Sequence, residues 1–162
     1  LVSGAISDCH ADLVLFEVSL SQDRQTVYVA FTFADPSDLS TVDSCVGLDL
    51  DLDSGTGYSD EDGSGEDQFI CHVGFDASVD VDFYNADGAF LSSGSADAVS
   101  TQTPLVIDDG GPSSPPLILV IPVSELGDGD ACFAATGHTY WYPPSGDVFV
   151  DSTDQAVFDS CP

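Results

Sequence analysis

The stretch DLVLFEVSLSQDRQTVYVAFTFAD, residues 12–35, decides the fold class. Its two halves, 12–21 and 26–35, alternate with a period of two and are rich in Val, Leu, Phe and Thr, as half-buried strands are. The polar tetrapeptide QDRQ separates them, so the unit reads as a β-hairpin. Alternation of this kind dominates the chain, and no helical stripe runs longer than a turn or two.

The remaining strands follow the same logic. CVGLDLDLD (45–53) and QFICHVGF (68–75) enclose an acidic loop. ASVDVDFYNADGAFLSS forms a second hairpin, with Val79, Val81 and Phe83 facing in, Asp80 and Asp82 facing out, and NADG as its turn. TPLVIDDGGPSSPPLILVIPVSEL supplies two strands around a Gly/Pro/Ser loop, and VSEL is the one place for a short helical turn. DACFAATG, DVFV and QAVFDS complete the set. About ten short strands with turn signals between them predict an all-β fold, a two-sheet antiparallel β-sandwich of jelly-roll-like form. At 162 residues the chain makes one domain, 1–162, in which 1–8 reads as an N-terminal extension or a donated strand.

The order of DLVLFEVSLSQDRQTVYVAFTFAD, then GLDLDLDSGTGYSDEDGSGEDQFI, then PLILVIPVSELGDGDACFAAT resembles the carbohydrate-binding-module family 9-like and DOMON-like β-sandwiches. In those domains a strand ending in D-x-D and a T-G turn precedes an acidic strand start, and a late strand ends in I-P-x-S-x-L. The resemblance spans about three quarters of the chain and implies a sandwich that hosts sugar, haem or calcium binding, or a structural role. Two departures bear on function. Sugar sites of that family lean on paired tryptophans, whereas Trp141 is alone here, and a haem site needs Met and His ligands, whereas Met is absent.

Net charge is −28, from 29 acids against one base, Arg24, with no lysine. Such a chain repels itself unless salt screens it or cations neutralise it, which leaves a salt-adapted secreted domain or a calcium-binding one. Aspartate dominates the acids, in keeping with turns and cation ligation. Nucleic acid is excluded as a partner, because its recognition rests on Lys and Arg. No apolar run is long enough for membrane insertion, since PLILVIPV (116–123) is far short of a span. A chain that starts at Leu1 and lacks Met is expected to be extracellular or at the cell surface after signal-peptide removal.

Five cysteines occur without CxxC or CxxCH spacing, so disulfides are the expectation for an exported chain. Cys9 with Cys161 would tie down the two ends, and Cys45 with Cys71 would clamp the base of the acidic loop. Cys132 is then the odd cysteine, a buried thiol or an intermolecular link.

The acidic hairpin is the candidate metal site. With Val46, Leu48, Leu50 and Leu52 turned to the core, Asp49, Asp51 and Asp53 line an outer face, about 6.5–7 Å apart. The Gly-rich turn that follows brings Asp60, Asp62, Glu66 and Asp67 back toward them. Calcium takes six to eight oxygens from carboxylates and carbonyls, and this segment offers both. The EF-hand pattern does not fit, because Ser54 stands where glycine is required and the flanks are strands. The alternative is a solvated acidic loop in a salt-loving protein.

His10, His72 and His138 share no local metal spacing, and neither GxSxG nor a P-loop occurs. The chain therefore reads as a non-enzyme. GHTYWYPPSG (137–146) is the one dense aromatic segment, and Tyr140, Trp141 and Tyr142 are candidates for a protein interface or a sugar contact. Two functional classes remain. The first is a calcium-stabilised structural subunit of an extracellular assembly such as a fibre, pilus-like filament or surface layer, forming a homo-oligomer or polymer. The second is a carbohydrate-binding module with a glycan as its partner.

Overall fold

The computed structural model describes residues 13–33, 39–58, 65–75, 77–95, 98–102, 116–127, 132–142, 149–152 and 156–157. In chain order its strands are β1 (Leu13–Leu20), β2 (Thr26–Phe33), β3 (Val42–Asp49), β4 (Gln68–Val73), β5 (Ser78–Tyr84), β6 (Phe90–Ser95), β7 (Ser100–Gln102), β8 (Leu117–Pro122), β9 (Ala134–Trp141), β10 (Phe149–Ser152) and β11 (Ala156–Val157). They form two antiparallel sheets. The smaller runs β1-β2-β8-β7, and the larger runs β10-β9-β3-β4-β5-β6 with β11 also on β9. The protein is a two-sheet β-sandwich.

The opening hairpin forms as its alternation requires, pairing Phe16 with Phe31, Val18 with Val29 and Leu20 with Val27. Its turn is closed by Ser21, whose hydroxyl oxygen accepts the N–H groups of Gln25 and Thr26. The NADG turn also forms: the Asn85 side-chain oxygen accepts from the N–H groups of Asp87 and Ala89, and Gly88 takes φ 73°. VSEL supplies the expected short turn, a 3-10 helix over Val123–Glu125. Among the described residues no helix is long and apolar enough to cross a membrane.

The core fills the space between the sheets. Val27, Val29, Phe31 and Phe33 of β2 and Leu117, Leu119 and Ile121 of β8 meet Val46, Leu48, Ile70 and Val81 of the larger sheet. Val79 and Phe83 pack against that core as expected, and so does Trp141. Gly137 makes one close approach possible, because a Cβ there would stand 2.5 Å from the ring of Phe16.

Two sequence expectations are corrected. The acidic strand does not run to Asp53; β3 stops at Asp49, and Leu52 is 42% exposed with φ 58° instead of buried. Side-chain carboxylates take over the backbone donors from Leu50 onward. The Leu50 N–H donates to Asp67 Oδ2, that of Asp53 to Asp51 Oδ1 and that of Gly55 to Asp53 Oδ1. Such local bonds compete with a strand ladder. The second correction concerns GHTYWY: its three aromatic candidates do not act as one group, because the segment is the end of β9, paired with β3 from Val42↔Trp141 to Asp49↔Ala134. On a strand neighbours point to opposite faces, so Trp141 turns to the core while Tyr140 and Tyr142 turn out.

Candidate ligand groove and acidic hairpin

β3 lies in the middle of the larger sheet and is buried on both faces from Ser44 to Asp49. The smaller sheet covers one face. The other is covered by side chains that gather over Gly47, which pairs with Phe69 on one side and Thr136 on the other. A Cβ at Gly47 would fall 2.5 Å from Glu66 Oε1, so the bare glycine is what admits the Glu66 side chain. Glu66 Oε1 lies 2.7 Å from His138 Nε2, with both side chains wholly buried, and His138 Nδ1 lies 3.0 Å from Ser152 Oγ. With Glu66 ionised, His138 donates from Nε2 and accepts the Ser152 hydroxyl at Nδ1.

A chain of rings caps this buried pair. Phe90 meets Tyr84 at 5.9 Å between centroids, Tyr84 meets Phe69 at 5.4 Å, Phe69 meets His138 at 5.5 Å, and His138 stacks on Tyr140 at 6.4 Å. Tyr58 folds in from the acidic loop, 5.0 Å from Tyr84 and 5.6 Å from Phe69. Its backbone is pinned there by a two-way bridge with Glu66.

Alongside the rings lies an open groove of about 290 Å³ on the outer face of the larger sheet. Cys45 and Cys71 form its floor as a disulfide between directly opposite residues of β3 and β4, the pairing expected for the loop base. Tyr58, Phe69, Tyr84, Tyr140 and Tyr142 supply its rings, and Asp43, Asp80 and Asp82 its charges. Burial raises the phenol of Tyr84 above its ordinary range, helped by the negative charges of Asp82 and Glu66. Burial likewise raises Tyr142, beside Asp43.

The five expected metal ligands among the described residues separate. Asp49, Asp51 and Asp67 come together, with carboxylate oxygens within 4.8 Å of one another, and Asp49 is only 2% exposed. The Asp53 N–H holds the carboxyl of Asp51 below its ordinary range against the opposing effect of burial, helped by the Thr56 hydroxyl. Carboxylates this close repel each other unless a proton or a cation stands between them. The donor set is all hard oxygen, which fits calcium. Asp53 is spent on the Gly55 N–H. Glu66 is corrected outright, since it turns to His138 instead of to the cluster. Asp60 and Asp62 lie outside the described residues.

Cys132 is corrected too. It is disulfide-bonded, and so is not the odd one. The pairing of Cys9 with Cys161 lies outside the described residues, as does His10. Of the three aromatic candidates Tyr140 and Tyr142 reach the groove and Trp141 does not. Phe69 and Tyr84 were missed as site residues. Reading GHTYWY with a period of two would have put His138, Tyr140 and Tyr142 on one face, but Glu66 stands 72 residues away from His138 and no local spacing predicts their contact.

No family model, curated protein or solved structure matches this chain.

Proposed function

We propose that the protein is a secreted, non-enzymatic carbohydrate-binding β-sandwich whose ligand lies in the groove on the outer face of the larger sheet. The ring set carries this reading: four tyrosines and Phe69 around an open cavity of about 290 Å³. That volume sits near the lower bound of about 300 Å³ for small-ligand pockets. Aromatic rings offer rigid apolar faces for the flat faces of sugars, and phenol hydroxyls offer polar tips. Ser152, His138 and Glu66 form a relay in outline, but His138 and Glu66 are wholly buried beneath Phe69 and Tyr140, and Ser152 meets His138 as its direct cross-strand partner. This favours a structural role for the three. The Cys45–Cys71 disulfide favours an oxidising compartment.

A glycan array followed by calorimetry tests the proposal. Tyr140→Ala and Tyr84→Ala are each expected to weaken the captured oligosaccharide about tenfold, or about 1.4 kcal/mol. If the array retains no glycan, the reading falls.

A second reading is a calcium-stabilised structural subunit that assembles into a homo-oligomer or polymer. Two observations favour it. Asp49, Asp51 and Asp67 converge, and β6 ends the path of the larger sheet with Phe90 56% and Leu91 61% exposed, a strand edge suited to pairing. Calcium at about a hundred times its Kd would add about 2.7 kcal/mol of stability. EGTA is then expected to lower the melting temperature by about 5–10 °C and to shift sedimentation toward the monomer. An unchanged melting temperature removes the calcium, and a monomer at every protein and calcium concentration removes the assembly.

A further inference from the structure

We infer that the groove recognises organic ammonium groups, and that the oligosaccharide it binds carries free amines. The sugar part of this inference rests on the carbohydrate reading, and the amine part rests on charge. Asp80 and Asp82 stand at alternate positions of β5, half-buried on the groove wall. Their backbones belong to the sheet ladder, and neither carboxylate takes a hydrogen bond or ion pair from a described residue. Asp43 differs, because it accepts the Gly74 N–H at 2.9 Å and bonds the Tyr142 hydroxyl.

Among the described residues no basic group is placed to neutralise Asp80 and Asp82. The chain holds one Lys or Arg in all, and that residue, Arg24, lies in the exposed turn between β1 and β2 of the other sheet. His138 faces Glu66 beneath the rings, and His72 is buried. A positively charged ligand supplies what the described residues lack. Simple cations in solution screen such a pair weakly, whereas an ammonium group donates charge-assisted hydrogen bonds to a carboxylate. It is also drawn to ring faces, at about 0.5–1 kcal/mol when exposed and about 2 when desolvated. Tyr58, Phe69, Tyr84, Tyr140 and Tyr142 offer those faces within the same cavity. The two carboxylates stand about 7 Å apart along the strand, a spacing for amines repeated along a ligand instead of a single point charge. Burial raises the phenol of Tyr84, and the negative charge of Asp82 adds to that effect.

Calorimetry on the whole chain decides it, with three probes: a β-1,4-linked glucosamine oligomer, its N-acetylated counterpart, and spermidine. The amine oligomer is expected to bind about tenfold or more tighter than the acetylated one, about 1.4 kcal/mol. Asp80→Asn with Asp82→Asn should abolish that preference, the amine oligomer falling to the affinity of the acetylated one, and an unchanged urea unfolding curve certifies the fold. Neutralising Glu17 and Asp23 instead, on β1 and the turn after it in the other sheet, should leave the preference intact and so separates the site from the general attraction of a −28 chain. Equal affinity for both oligomers, or a preference that survives the Asp80/Asp82 double variant, overturns the inference and spares the carbohydrate reading. Spermidine binding that is lost in the double variant, with neither oligomer bound, overturns the carbohydrate reading and upholds ammonium recognition. Failure of all three probes overturns both.

Discussion

His138→Ala is expected to destabilise the protein by about 3 kcal/mol, the upper end of the loss when a buried polar group is left unsatisfied. The reason is specific to Glu66. Its side chain is wholly buried, Oε1 bonds His138, and Oε2 has no hydrogen-bond partner among the described residues. Removing the imidazole leaves a carboxylate in the sheet with nothing to satisfy it. Glu66→Gln should lose less, since the amide oxygen can still accept from Nε2. Removing both side chains should lose less than the sum of the single losses, because the pair acts as a unit. Urea or guanidinium unfolding measures all of these variants. A loss below about 1 kcal/mol for His138→Ala would mean that the pair is solvated and the burial account is wrong. Because Phe69 and Tyr140 rest on the imidazole, the same variant should also weaken ligand capture in the groove.

Replacing both Cys45 and Cys71 by alanine is the second large effect. The bridge closes a loop with a sequence separation of 26, for which the chain-entropy relation gives about 3.5 kcal/mol. That is a large share of the roughly 5–15 kcal/mol that holds a typical domain folded. Substitution is preferable to a reductant, which would also break the disulfide of Cys132. The loop it closes contains the Asp49, Asp51 and Asp67 cluster, Tyr58 and Glu66, so loosening it should reduce both any response to EGTA and glycan binding. An unfolding free energy within about 1 kcal/mol of the parent would show that the β3–β4 ladder closes the loop without covalent help.

The hairpins were legible because their evidence is local. Period two in 12–35 and in 77–93, with polar or Asn/Gly turns between, has one low-energy outcome, and β1–β2 and β5–β6 formed at the expected faces. The Cys45–Cys71 bridge was legible for a related reason, since two strands that flank one loop bring their first and last cysteines opposite each other. The end of β3 was not legible. Asp49, Asp51 and Asp53 have identical side chains at equal spacing, and only the return of Asp67 to the Leu50 N–H decides that one is buried, one joins a cluster and one closes a turn.

By itself the sequence determined an all-β sandwich, a chain without the basic residues that would neutralise its acids, and an aromatic segment near the C-terminal end. These follow from alternation and composition, which any compact arrangement of the chain must respect. Tertiary structure alone decided that Trp141 faces the core while Tyr140 and Tyr142 join Tyr58, Phe69 and Tyr84 in one groove. It also decided that Glu66 abandons the acidic cluster for His138. The physical reason lies in strand order. β9 and β4 flank β3, so residues distant in the chain share one face, and bare Gly47 leaves the space in which they meet.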